Sequence, residues 1–206
     1  MSLLFQINQN KKFLFLVLLT SMTHVKAQQL STGVSAFMNS TSFSAAQSEQ
    51  PLERVAHVSF SPSLGVVFNL NERIFLQHNL ALYDQVDEVA AYADYTYRYT
   101  FVAVSNNLCY HLNDAIYLGA GLPFNITTHA SQSTNFGTID LIEEGNVPQL
   151  LYGFSALMGY ATKLSAKSQL YVDLTRAQFL NSLDKDPNQQ LTATSYVFSV
   201  KVTFNL

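Results

Sequence analysis

Apolar and polar residues alternate most strictly at the C-terminal end of the chain. Between positions 196 and 206, every second residue is apolar: Tyr196, Phe198, Val200, Val202, Phe204 and Leu206. The residues between them are mostly polar and include Lys201. This period of two predicts a β-strand with one apolar face and one polar face. A strand needs ~9–11 such residues to cross a membrane, and this segment is long enough.

The same alternation recurs along the chain and predicts eight strands. They lie at residues 30–38, 55–70, 73–83, 95–112, 116–126, 150–164, 170–180 and 191–206. Three of their connections are tight turns, at 71–72, 113–114 and 165–168. The other four are longer polar loops, at 39–53, 84–94, 127–148 and 181–190. The two kinds of connection alternate without exception, as they do in transmembrane barrels, where they lie on opposite sides.

An even number of antiparallel strands can close on itself and leave no unpaired edge in lipid. The pattern therefore predicts an all-β fold, an eight-stranded antiparallel up-and-down transmembrane β-barrel. Pro62 lies inside the second strand and, because proline has no N–H, predicts a bulge there. A soluble periplasmic β-sandwich or lipocalin-like binder stays open as an alternative, since alternation alone also fits a sheet with one buried face.

The N-terminal residues have the order of a secretory signal peptide. Lys11 and Lys12 precede the apolar run 13–19, and Val25 and Ala27 provide the −3 and −1 residues of a cleavage site. We expect residues 1–27 to be the signal peptide and 28–206 the outer-membrane β-barrel domain. The apolar run is too short for a membrane-spanning helix, which needs ~20 residues.

Composition fits a barrel better than a water-soluble domain. Charged residues are 12% of the chain, about half of the ~25% usual in soluble domains. Without Lys11, Lys12 and Lys26, 8 basic residues face 14 acidic ones, a net charge of −6. That balance argues against a nucleic-acid partner, which calls for basic patches. Cys109 is the only cysteine, so no intramolecular disulfide can form.

Several segments resemble the eight-stranded outer-membrane barrels of the OmpX and OmpA type, and most of all the PorT-like barrel family. They are IFLQHNLALY at 74–83, LCYHL at 108–112, YLGAG at 117–121 and the terminal strand. The resemblance covers the whole mature chain and implies a location in a Gram-negative outer membrane. It implies a structural or loop-mediated interaction role, and we expect no catalytic activity and no cofactor.

Three charged residues of neighbouring strands are predicted to point into the lumen: Lys163, Asp173 and Lys201. A buried charge is costly unless it is paired. We therefore expect Asp173 to bridge one or both lysines. Because small eight-stranded barrels are filled by their own side chains, this cluster is favoured as a plug over an ion pathway.

Most acidic residues fall in the predicted outer loops: Glu49, Glu53, Asp84, Asp87, Glu88, Asp94, Asp140, Glu143, Glu144, Asp184 and Asp186. They keep the loop tips solvated, or bind a basic protein partner, or bind divalent cations that bridge lipopolysaccharide. The expected partners are outer-membrane lipid and lipopolysaccharide, with a protein partner through the loops and a monomeric barrel. The alternating Asp and Asn spacing of a calcium loop is absent, so no dedicated metal site is expected.

Aromatic residues are expected to form girdles at the two membrane interfaces. Those at the outer rim are Tyr95, Tyr97 and Tyr99, and those at the inner rim are Tyr110 and Phe204.

A hydrolase is the catalytic alternative. His129, Ser131 and Glu143 offer a base, a nucleophile and an orienting carboxylate. The His-x-Ser spacing resembles that of the lipid A deacylase barrels. The sequence places the three residues in a Ser/Thr-rich loop, whereas in that family they lie on strands near the membrane face.

Overall fold

The computed structural model describes residues 29–45, 54–56, 58–90, 94–183 and 189–205. The signal peptide predicted at residues 1–27 lies outside this part of the chain. Ten strands are present in it: β1 Gln29–Ala45, β2 Arg54–Ala56, β3 Val58–Asn69, β4 Ile74–Ala90, β5 Asp94–His111, β6 Ile116–Thr134, β7 Gly137–Asp140, β8 Leu150–Lys163, β9 Ser168–Phe179 and β10 Gln189–Asn205.

Eight of these strands form a closed antiparallel barrel in the order β1, β3, β4, β5, β6, β8, β9 and β10. The barrel closes where β1 pairs with β10, in unbroken register from Gln29 with Asn205 to Ala45 with Gln189. The short strand β2 pairs with β4, and β7 pairs with β6. The predicted eight-stranded antiparallel up-and-down barrel is confirmed.

Tight turns close one end of the barrel, which we call the tight-turn end. Asn71 Oδ1 accepts hydrogen bonds from the N–H groups of Arg73 and Ile74, both at 2.8 Å. Asn113 Oδ1 does the same for Ala115 and Ile116, at 2.9 and 2.7 Å. An Asn side chain that bonds to the backbone two and three residues on stabilises a reversal of the chain. The opposite end, with the β6–β7 hairpin and the segment 141–149, is the loop end.

The outer surface of the barrel is apolar and the inner surface is largely polar. Along β8, exposed and buried residues alternate at every position from Leu150 to Ala161. Exposed apolar side chains occur on every strand of the barrel and include Phe60, which is 75% exposed. A lipocalin-like or sandwich protein faces its apolar side chains inward, so that alternative is wrong. No helix in the described ranges has the length and hydropathy to cross a membrane.

Several strands extend further towards the loop end than the sequence predicts. β1 runs to Ala45, β4 to Ala90 and β6 to Thr134, so the residues 39–45, 84–90 and 127–134 predicted as loops are strand. Apolar alternation marks only the part of a strand that has an apolar surface beside it. Beyond that part, cross-strand pairing continues with a mostly polar outer face.

The bulge predicted at Pro62 stays a prediction. Pro62 pairs with Val34 in an unbroken register between β1 and β3, and exposed and buried residues alternate from Phe60 to Leu64. On the other side of β3, the pairing with β4 begins only at Ser63. In place of the ladder, Ser61 Oγ accepts a hydrogen bond from the N–H of Leu82 at 3.1 Å.

Two clusters of buried side chains fill the interior, as expected for eight strands. The tight-turn cluster is built on strands alone: Val67, Phe75, Cys109, Tyr117, Leu157, Ala161 and Tyr171. The loop-end cluster contains Phe37, Tyr83, Tyr99, Phe101, Leu151 and Phe179, and adds Leu141, Val147 and Leu183 from the connections. Phe37 and Tyr83 stack with their ring centres 4.2 Å apart. A polar layer separates the two clusters.

Candidate functional site

A buried ion pair lies in the polar layer. Asp173 on β9 and Lys201 on β10 are diagonal neighbours, because Asp173 pairs with Ser199 and Lys201 pairs with Tyr171. The carboxylate of Asp173 contacts the ammonium of Lys201, and both side chains are almost completely buried. Tyr117 donates its hydroxyl to Asp173 Oδ1. The negative charge is therefore held by one cation and one neutral donor.

The ammonium of Lys201 has further acceptors on the far side of the lumen. Its Nζ donates to Asn79 Oδ1 at 3.1 Å and to Gln77 Oε1 at 3.4 Å, both on β4. Gln77 Nε2 in turn donates to the hydroxyl of Tyr117 at 3.3 Å. The network joins β4, β6, β9 and β10 across the barrel. A buried pair is tolerated when its remaining donors and acceptors are satisfied in this way.

The third residue of the predicted lumen cluster lies elsewhere. Lys163 is the last residue of β8, is exposed, and pairs in register with Gln169 rather than with Asp173. It makes no ion pair within the described ranges. Lys163 follows the inward-facing residues of β8 in alternation, as predicted. Because it lies at the tight-turn end, however, its side chain extends into solvent and does not reach the polar layer.

Tyr117 completes the network and was not identified from the sequence. In register, Gly159 lies between Tyr117 on β6 and Asp173 on β9. A Cβ atom at Gly159 would overlap the ring of Tyr117. The missing side chain lets the tyrosine cross one strand and reach the carboxylate on the next. A glycine paired with an inward tyrosine was the signal available in the sequence.

A cavity of about 70 Å³ lies beside the ion pair. Besides Asp173 and Lys201, its polar lining comes mainly from Ser and Asn side chains, several of which are hydrogen-bonded. Ser155 Oγ donates to Asn107 Oδ1 at 3.0 Å, and Asn125 Nδ2 donates to the hydroxyl of Tyr83 at 2.7 Å. Among the cavity-lining hydroxyls, that of Ser63 is buried without a hydrogen-bond partner.

The predicted outer aromatic girdle is wrong for two of its members. Tyr99 is buried in the loop-end cluster and Tyr97 packs against it, so both face inward. The side chain of Tyr95 lies outside the described part. On β5 the outward face at this level carries Arg98 and Thr100 instead. At the tight-turn end, Tyr110 and Phe204 are exposed on the outer surface, where an interfacial residue belongs.

The acidic residues are spread over strands as well as connections. Asp84, Asp87 and Glu88 lie on β4 and Asp94 begins β5, which corrects their assignment to a loop. The remaining described ones are at the end of β7 and in the turn after it: Asp140, Glu143 and Glu144. Glu49, Glu53, Asp184 and Asp186 lie outside the described ranges. Across those ranges, no group of three or more His, Cys, Asp or Glu could hold a metal ion.

The structure does not assemble the hydrolase set. His129 and Ser131 lie on β6 rather than in a loop, and Glu143 lies in the turn after β7. His129 and Glu143 are exposed, whereas Ser131 is buried. No hydrogen bond joins the three side chains, so within the described ranges no base activates the serine hydroxyl.

Comparison with solved structures identifies the fold. The outer membrane protein OprG from Pseudomonas aeruginosa is 12% identical, over 88% of this chain and 97% of its own, with a TM-score of 0.51. The outer membrane protein AlkL, determined in DMPC lipid bilayers, is 7% identical, over 89% of this chain and 93% of its own, with a TM-score of 0.52. No family model and no curated protein matches the chain. The chain therefore has the fold of the outer-membrane β-barrel proteins.

Proposed function

We propose that this protein is an outer-membrane barrel that displays its loop end at the cell surface and acts by interaction rather than by catalysis. The observation that carries this is the length of the strands. β4 runs to Ala90, β5 begins at Asp94 and β6 runs to Thr134. These strands continue for several residues beyond the apolar belt of the outer surface, and β7 adds a further hairpin.

The interior supports an anchoring role over conduction. Two side-chain clusters close the lumen at different levels, and the ion pair of Asp173 and Lys201 lies between them. A conducting barrel has a water-filled lumen, which eight strands are too few to provide. In this proposal the filled barrel anchors the loop-end hairpins in the membrane.

The charge of the loop end favours a basic partner. The segment 130–149 contains Asp140, Glu143 and Glu144 and neither lysine nor arginine. Phe136, at the tip of the β6–β7 hairpin, is 96% exposed. We propose a protein partner or lipopolysaccharide-bound cations at this surface, and membership of the PorT-like barrels as the narrower affiliation. The hydrolase alternative loses support because its three side chains are not brought together.

Labelling of single cysteines in intact cells tests the orientation. Phe136→Cys places a thiol at the loop end and Ser165→Cys places one in a turn at the tight-turn end. A membrane-impermeant maleimide should label the first in intact cells and the second only after lysis. Cys109 is buried and gives little background, which the unaltered protein measures.

The same cells test the membrane location. Folded barrel should fractionate with the outer membrane and migrate differently on a denaturing gel before and after boiling. Equal labelling of both cysteines in intact cells, or a soluble fraction that holds the folded protein, would contradict the proposal.

A further inference from the structure

The outward face of three neighbouring strands changes from apolar to polar at one level. Leu82 on β4, Val102 on β5 and Ile126 on β6 are paired in register. The next outward residues towards the loop end are Asp84, Thr100 and His129, which are also in register. Because the change occurs together on all three strands, this level marks one edge of the apolar belt.

A β-bulge turns His129 towards this edge. Phe101 pairs with Thr127 and Thr100 pairs with His129, so Thr128 is an extra residue on β6. Its hydroxyl donates to the carbonyl of Thr100 at 3.0 Å and holds the bulge in place. Thr127 is buried, whereas His129 is exposed. Without the extra residue, His129 would share the inward face of Thr127, since side chains alternate along a strand.

Arg98 lies one outward position further towards the loop end. It pairs with Val86 and Ser131, so it is diagonal to His129, at about 7–8 Å between Cα atoms. Arg98 is exposed, and its guanidinium makes no hydrogen bond or ion pair with any described residue. The nearby carboxylate of Asp84 accepts a hydrogen bond from Thr100 Oγ1 at 2.7 Å. Two nitrogen-bearing side chains therefore point outward at the edge of the apolar belt.

We infer that Arg98 and His129 bind the phosphate group of a lipid whose acyl chains lie against Leu82, Val102 and Ile126. This inference rests on the proposed membrane location. Guanidinium binds phosphate oxygens through two parallel N–H bonds, and imidazole adds a third donor. The apolar side chains immediately next to the two donors select a lipid over free phosphate. The bulge serves this site because it re-aims the imidazole.

Binding of phosphatidic acid to the folded barrel in a maltoside detergent tests the site. Native mass spectrometry gives the affinity for the unaltered protein and for three variants. Arg98→Gln should weaken binding by about ten-fold, as loss of one charge-assisted contact predicts. His129→Gln should weaken it by a smaller factor. Arg176→Gln is the matched control, because Arg176 is also exposed on the outer surface but lies beside Ala156 and Tyr196 in register.

Binding measurements with two further ligands show whether the phosphate belongs to a lipid or is free. Diacylglycerol, which has the chains without the phosphate, should bind equally weakly to the unaltered protein and to Arg98→Gln. Inorganic phosphate should fail to displace phosphatidic acid at equal concentration. Displacement by inorganic phosphate, or equal affinity of Arg98→Gln and the unaltered barrel for phosphatidic acid, would overturn the inference. Heat-dependent gel migration confirms that each variant is folded, and the cysteine labelling tests the membrane location separately.

Discussion

The two ends of the barrel interior are filled in different ways. The tight-turn cluster takes all its side chains from strands and lies next to the ion pair of Asp173 and Lys201. The loop-end cluster completes its packing with Leu141, Val147 and Leu183, which come from connections. Side chains on paired strands have fixed positions, whereas connections can shift when a neighbour changes. The difference indicates that the tight-turn half is the rigid support and the loop-end half is adaptable.

The largest effect is expected from breaking the ion pair. Asp173→Ala leaves the ammonium of Lys201 buried without its counter-charge. We expect the free energy of unfolding to fall by about 3–5 kcal/mol, the usual cost of removing one partner of a buried pair. The free energy of unfolding is measured by urea titration of the barrel in lipid vesicles, with the folded fraction read from gel migration of unboiled samples.

A double variant separates the charge from the packing. Asp173→Leu with Lys201→Met removes both charges, so its stability should be clearly higher than that of Asp173→Ala. It should stay somewhat below that of the unaltered protein, because Tyr117, Gln77 and Asn79 lose their hydrogen-bond partners. If the double variant is as unstable as Asp173→Ala, the loss comes from packing and the ion-pair explanation is wrong.

A pair of leucine truncations compares the two ends directly. Leu157→Ala in the tight-turn cluster should lower the free energy of unfolding by about 2–5 kcal/mol, because the strands on either side cannot close the cavity. Leu141→Ala in the loop-end cluster should cost only about 2–3 kcal/mol, the low end of the same range, because its connection can collapse into the space. The same urea titration measures both, and equal losses would contradict the difference between the ends.

The smallest effect is expected at the hydroxyl of Tyr117. Tyr117→Phe removes the donor to Asp173 and the acceptor for the Gln77 amide, while the ring remains. A loss of about 1–2 kcal/mol follows for a hydrogen bond to a charged group. Tyr171→Phe in the same cluster is the control, since its hydroxyl bonds to the neutral Gln169. No measurable loss would mean that the hydroxyl does not stabilise the carboxylate and that the counter-charge of Lys201 alone holds it.

The alternation of apolar and polar residues predicted the architecture because the two faces of each strand meet different surroundings, lipid outside and the lumen inside. It predicted the closed eight-stranded barrel and the inward positions of Asp173 and Lys201. It failed where the outer medium changes. Tyr97 and Tyr99 were assigned to an outer girdle, although they are an odd number of residues from Tyr110, which is exposed on the outward face of the same strand. Side chains alternate along a strand, so the two tyrosines belong to the inward face.

Two further details were beyond the pattern. The reach of Tyr117 across Gly159 depends on the register between strands, which a single sequence does not specify. The outward position of His129 depends on one extra residue at Thr128, and such a shift reverses every later side chain on the strand. Beyond the apolar belt, apolar and polar residues no longer alternate regularly along the strands. For this reason the segments 84–90 and 127–134 were predicted as loops.

The pairing of β1 with β10 also constrains how this protein is made. The paired residues range from Ala45 and Gln189, 144 positions apart, to Gln29 and Asn205, 176 positions apart, and they must meet before the sheet closes. Until β10 has been synthesised and exported, β1 is an open edge that can pair with another chain. Closure therefore comes late, and such distant contacts form slowly. Loss of the last strand would produce an aggregation-prone open sheet rather than a smaller barrel.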